Sequence, residues 1–299
     1  MSGLFDCCSI WPLSTTGGAV EDEAPKPANE ICKLSGTLKP CSKSLQSLQS
    51  GSSNVEELLA SSSLAVLPQL TTNWTCRKWN ATWVRNTLGH HEVQVAHKDA
   101  TGNKVSYETV RLSHFLDNQT DRSWVPAGTI PYVDNFDIFT LAPERRAEVP
   151  SEKLFGPERT LVIYGAFLGP AGSSTRLHVD SEDNLIYCAF GRKLFILLPP
   201  SALELIDFSA RDIPIENPWD PAVEQKAKLH PMFRRCAEEL RIVVLRRGDL
   251  LVQPRGWSHW VYNLELSLSV ACWAKACPPP GEAIISSEAG FVGHQTDSV

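Results

Sequence analysis

The sequence of 299 residues has no CxxC pair, no excess of basic charge and no apolar run near the roughly 18 residues a membrane span needs. Each absence removes a class. Nine cysteines, odd in number and without paired spacing, exclude a zinc-finger arrangement and read as reduced intracellular thiols. Twenty-eight Lys and Arg against 34 Asp and Glu give a formal net charge of −6 and a pI of about 5.8. That leaves no basic field for a phosphate backbone, so general nucleic-acid binding is disfavoured. The start of the chain, Met1 to Cys8, lacks the basic n-region and apolar core of a signal peptide. The expected location is cytosol or nucleus, with no membrane partner.

What is present is enough apolar residue, 42% of the chain, for one substantial core. Residues 1–62 read as a disordered Ser/Pro-rich tail, including Ser42-Lys-Ser-Leu-Gln-Ser-Leu-Gln-Ser-Gly-Ser-Ser53, because sparse apolar residues cannot repay ordering entropy. Asn54–Ala60 is the one stretch there with any helical character. The domain is placed at 63–280 and a flexible C-terminal tail at 281–299.

Within the domain, Trp79–Leu88 has helical spacing and ends at Gly89. Glu92–His97 and Lys104–Val110 alternate about a turn at 99–103, predicting a hairpin, with a short helix near 112–116. Eight further strands are predicted in the core at 160–276: 160–167, 175–180, 184–190, 193–198, 241–245, 249–253, 259–263 and 266–274. Many short strands punctuated by Gly and Pro predict a mainly β, double-stranded β-helix, a cupin-like jelly roll with flanking N-terminal helices. The segment between Pro199 and Leu240 reads as an insertion of short helical or loop pieces, placed over the barrel mouth or at an accessory interface.

Thr175-Arg-Leu-His178-Val-Asp180 puts an imidazole and a carboxylate on one face of a strand. Gly256-Trp-Ser-His259, 79 residues after Asp180 at its histidine, supplies a third donor. Two histidines and one carboxylate leave three positions of an octahedral metal open, the arrangement of non-haem Fe(II) oxygenases. His97-Lys-Asp99 also matches HxD, but it runs straight into a turn and is read as no ligand pair. Lys193 shares a face with Phe195 and Leu197, so it points into the barrel. A buried ammonium needs an anion, and the distal carboxylate of 2-oxoglutarate would satisfy it.

With Asp183-Asn184-Leu, Gly191-Arg-Lys193, Pro199-Pro200, Gly248-Asp249, Pro254 and Gly256-Trp257-Ser-His259 in that order, the chain resembles the JmjC hydroxylases over residues 74–276. The resemblance implies Fe(II) held by His178, Asp180 and His259, the catalytic set. It implies 2-oxoglutarate held by Lys193 and Thr175, with Asn184 and Tyr132 also facing it, and O₂ as co-reactant. Ala271 stands where many relatives carry Asn or Ser, removing one polar contact. The implied reaction is hydroxylation of a protein side chain with release of succinate and CO₂. Lysine demethylation, hydroxylation of a tRNA base or small molecule, and a non-catalytic scaffold remain alternatives, and a homodimer is left open. Tryptophans such as Trp257, Trp260 and Trp273 are assigned to the core, and Tyr187 and Arg176 to either pocket or scaffold.

Overall fold

The first structured residues are ones that composition assigns to the tail. In the computed structural model, which describes residues 54–99, 102–203, 239 and 241–277, Asn54 caps helix α1 (Val55–Ala60) by accepting from Glu56 N–H at 3.0 Å. Glu56 and Glu57 suit the positive end of its first turn. Val55, Leu58 and Leu59 are buried in the main core, and Glu56 pairs with Arg159 and accepts from Gly156 N–H. The structured domain therefore begins before residue 63. Three apolar side chains on one face of six residues suffice once a sheet is there to receive them. The other proposed tail residues, 1–53 and 281–299, lie outside the described residues.

Helix α2 (Ala81–Leu88) starts at Asn80, whose side chain accepts from Trp83 N–H, and stops at Gly89. The predicted hairpin is β2 (Glu92–Lys98) with β3 (Lys104–Arg111), followed by α3 (Leu112–Asp117). Strand β4 (Ile130–Phe136) and helix α4 (Ile138–Leu141) follow; a short β1 (Ala65–Val66) precedes α2. All eight strands predicted in the core are present: β5 (Arg159–Gly169), β6 (Ser174–Val179), β7 (Asp183–Phe190), β8 (Arg192–Leu198), β9 (Arg241–Arg246), β10 (Leu250–Gln253), β11 (Ser258–Asn263) and β12 (Ser267–Ala276).

These strands form two antiparallel sheets. The larger has the order β1-β10-β7-β12-β5-β4-β2-β3 and the smaller β6-β11-β8-β9. Every residue of β7 is buried, which alternation alone would not give; its two faces meet different cores. Leu185, Tyr187 and Ala189 face the helical layer with Val55, Leu58 and Trp79. Ile186 and Cys188 face the smaller sheet with Phe195, Leu197 and Val261. Tyr187, 5.1 Å from Trp74 between ring centroids, is scaffold. Arg176 is exposed and reaches Asn103. Of the insertion, only helix α5 (Pro200–Leu203) and Glu239 are described. Among the described residues no helix is long and apolar enough to cross a membrane.

Candidate active site

The site lies between the sheets, and strand register explains how it assembles. On β11, His259 sits opposite His178 of β6 on one side and Leu197 of β8 on the other. Asn263 sits opposite Lys193. Alternation therefore puts His259, Val261, Leu197, Phe195 and Lys193 on one inward face. Thr175 is three residues from His178, an odd spacing that regular alternation would turn outward. The ladder shifts here: between His259 and Val261 lies one residue, Trp260, against two, Leu177 and Arg176, between His178 and Thr175. This β-bulge returns Thr175 to the pocket side.

Donor atoms of His178, Asp180 and His259 lie within 4.8 Å of one another, close enough for one ion to reach all three. Among the described residues they form the only such group. Neighbours orient each ligand. His178 Nδ1 lies 2.8 Å from Arg176 O; a carbonyl only accepts, so Nδ1 carries the proton and Nε2 keeps its lone pair. Asp180 Oδ2 accepts from Trp273 Nε1 at 3.0 Å and Asn184 Nδ2 at 3.1 Å, while Oδ1 lies 3.8 Å from His178 Nε2.

His259 Nδ1 is 2.9 Å from the buried Gln253 amide, whose Oε1 has no hydrogen-bond partner. The amide orientation that places Oε1 on Nδ1–H satisfies that oxygen and frees His259 Nε2 for a metal. Burial first, then the His178 imidazole, pushes His259 down to about 3 against the pull of Asp180, so its ring is neutral at physiological pH. Burial works against ionised Asp180. The two imidazoles and the Trp273 and Asn184 donors nevertheless hold it below its ordinary value. Two imidazoles with a carboxylate fit a borderline divalent metal such as Fe(II).

Deeper in the same pocket, of about 390 Å³ including its open mouth, Lys193 is fully buried. Its Nζ donates to Phe167 O at 3.1 Å and lies 3.4 Å from Tyr132 Oη. No carboxylate among the described residues forms an ion pair with it. Desolvation pushes this ammonium down to about 7, a measure of how poorly the site compensates its charge. Burial also raises the Tyr132 hydroxyl, keeping it a proton donor. Thr175 and Asn184 complete this end of the lining.

His178, Asp180, His259, Lys193, Thr175, Asn184 and Tyr132 therefore border one pocket or bind one another beside it. Three contributors were missed. Trp273, assigned to the core, is a direct partner of Asp180. Gln253 orients His259 from the next strand of the opposite sheet. Ser269, two residues before Ala271 on the same face of β12, also lines the pocket. The spacing of Ser269 could have exposed it; the other two depend on cross-strand register. The second HxD copy separates: His97 Nδ1 meets Ser106, and Asp99 accepts from Asn103 N–H in the hairpin turn.

Residues 52–276 match the cupin-like domain family. JmjC domain-containing protein A of Dictyostelium discoideum is 28% identical over 66% of this chain and 82% of its own length. The human bifunctional peptidase and (3S)-lysyl hydroxylase JMJD7 is 26% identical over 66% of this chain and 72% of its own. The zebrafish 2-oxoglutarate and iron-dependent oxygenase JMJD4 is 31% identical over 37% of this chain and 26% of its own. The chain spans under half the length of other relatives, such as the fly Jumonji C domain-containing protein 5, at 43%. The chain belongs to the cupin-like domain family, among its JmjC members.

Proposed function

We propose that this chain is an Fe(II)- and 2-oxoglutarate-dependent dioxygenase that hydroxylates a protein side chain. The observation that carries the reading is a conjunction. A two-histidine, one-carboxylate set with oriented ligands shares its pocket with a buried ammonium that forms no ion pair with a carboxylate among the described residues. His178, Asp180 and His259 would hold the iron, and Lys193, Tyr132 and Thr175 the distal carboxylate of 2-oxoglutarate. Bound there, iron with 2-oxoglutarate and O₂ supplies an oxidant that converts a C–H bond to C–OH, releasing succinate and CO₂.

The chain's own residues bind and orient. Arg176 O and Gln253 fix the imidazoles, Trp273 and Asn184 fix the carboxylate, and Phe167, Phe195 and Ile186 keep the pocket wall apolar. The choice of a protein side chain draws support from the name of the human relative. Relatives named lysine-specific demethylase, such as JMJ30 of Arabidopsis thaliana at 27% identity, make N-methyl lysine the second substrate class. Succinate formation from 2-oxoglutarate with Fe(II), ascorbate and a proteome-derived peptide library tests the reading. Products gaining one oxygen support hydroxylation, and formaldehyde release would favour demethylation. Protein that takes up neither metal nor the 2-oxoglutarate mimic N-oxalylglycine would sink the dioxygenase reading.

A further inference from the structure

A second buried lysine stands behind the cosubstrate end of the pocket. Lys98, at the end of β2, is 1% exposed. Lys98 pairs across the ladder with Ile130, two residues from Tyr132, so its side chain runs along the inward face of β4. There its Nζ lies 4.3 Å from the Tyr132 ring centroid, 3.1 Å from Asp134 Oδ2 and 3.3 Å from Thr175 Oγ1. The first two contacts balance its charge. The third reaches a pocket residue 77 positions away in sequence.

That third contact has a direction. An ammonium only donates, so Thr175 Oγ1 accepts from Lys98, and the hydroxyl's single hydrogen must go elsewhere. Thr175 also shares a side-chain hydrogen bond with Tyr132, which can donate to its second lone pair, and both residues line the pocket with Lys193. We propose that Lys98 is a positioning residue for the cosubstrate: by occupying a lone pair of Thr175 and bracing the Tyr132 ring, it presents the Thr175 hydroxyl as a donor to the distal carboxylate. Lys98 also places a second positive charge one layer behind Lys193, with Asp134 shared between Lys98 and Lys104. The inference rests on the dioxygenase reading of this pocket.

The test uses the full chain loaded with Mn(II) as a redox-inert stand-in for Fe(II), with N-oxalylglycine as the titrated probe. Lys98→Met keeps similar volume, and Asp134 retains Lys104 at 3.3 Å, so the variant is designed to fold. Lys98→Met and Thr175→Val should each weaken N-oxalylglycine by about tenfold, the scale of a hydrogen bond to a charged group. The double variant should be no weaker than the worse single, because Lys98 acts through Thr175. Mn(II) affinity should not change. A structural role for Lys98 would give multiplied losses in the double variant, and those would overturn the inference, as would a Lys98→Met protein that binds the probe like wild type.

Should Lys98→Met prove insoluble, Lys98→Gln keeps a donor without the charge. It should then hold probe affinity within about threefold of wild type and be no weaker than Thr175→Val when combined with it; a larger loss in either comparison counts against the proposal. Wild type that binds Mn(II) but not N-oxalylglycine fails differently, since it removes the dioxygenase reading itself.

Discussion

His178 and His259 face each other directly across the β6–β11 ladder, with ring centroids 4.1 Å apart. Like-charged imidazolium ions could not share that spacing in a buried site, and the neutral state of His259 follows from its burial and from this neighbour. The pair brings two ring nitrogens within reach of one ion.

Replacing either histidine by Ala removes one donor and leaves Asp180 with a single imidazole. Metal affinity should fall about a hundredfold or more, beyond the usual effect of losing an outer partner, and succinate formation should drop below detection. Isothermal titration with Mn(II) and a succinate assay check both. Because His259 titrates near 3, its own protonation should not limit metal uptake between pH 5 and 8. A metal-binding curve that tracked His259 in that range by NMR would contradict the assignment.

Lys193 makes the ligand-free protein pay in stability for its pocket. The ammonium sits at about 7 in the folded chain against an ordinary 10.5. Between those values only the unfolded chain holds the proton, so the unfolded state binds more protons and stability rises with pH across that window. Below about pH 7 both states are charged and the folded state carries the whole burial cost, on the order of several kcal/mol. Lys193→Met should therefore raise Tm of the ligand-free protein by several degrees at pH 6, with a gap that narrows towards pH 10. The same variant should show no thermal shift with N-oxalylglycine. Unchanged or lower Tm at pH 6 would mean that an unrecognised anion already compensates the lysine.

How much of this was legible in advance depended on spacing. HxD on a strand, GWxH downstream and a lysine among apolar neighbours are local patterns, and all three fell where local periodicity puts them. The eight strands were legible for the same reason. Thr175 was legible only through family resemblance, because the bulge that turns it inward is a property of two strands 80 residues apart. Gln253, Trp273 and Lys98 act on residues in other strands, and no single-strand pattern encodes that register. Helix α1 was legible as a helix at Asn54–Ala60 but composition assigns it to the tail, because its stabilisation comes from the sheet it covers while its own six residues are marginal as a helix.

Trp273 offers a measurement of one such contact. Trp273→Phe keeps an aromatic ring near Phe167, 6.0 Å away between centroids, but removes the N–H that Asp180 Oδ2 accepts. Asn184 still holds that oxygen. Metal affinity should fall about tenfold, while turnover recovers towards wild type at saturating Fe(II). A loss of turnover that excess iron does not restore would give Trp273 a role at the substrate instead.

Gly191 controls how β7 hands the chain to β8 and so where Lys193 points. Its φ is +76°, and an added Cβ would stand 2.4 Å from Leu266 O and 2.5 Å from the Ser267 Cβ. Gly191→Ala combines a backbone conformation that L side chains resist with a clash against backbone. It should cost about 2 kcal/mol or more in denaturant unfolding and weaken N-oxalylglycine more than metal. Equal loss for both ligands would point to general unfolding.

Asp183 joins the site to helix α1. Its Oδ1 accepts from Arg255 N–H, in the loop that leads to His259, and its Oδ2 from Arg159 Nε, both at 2.8 Å. Arg159 in turn pairs with Glu56 of α1. The inner pair is nearly solvent-free, with side chains 9% and 2% exposed, so removing Asp183 leaves the buried Arg159 with Glu56 alone and takes the acceptor from Arg255 N–H. Asp183→Ala should cost about 3 kcal/mol or more by that argument. Deleting residues 1–62 should also destabilise, because it takes away the buried Val55, Leu58 and Leu59 along with Glu56, each buried aliphatic being worth about 2 kcal/mol. Deleting 1–53 keeps all of these contacts. A chain starting at residue 63 as stable as one starting at 54 would show that α1 contributes nothing to the core it covers.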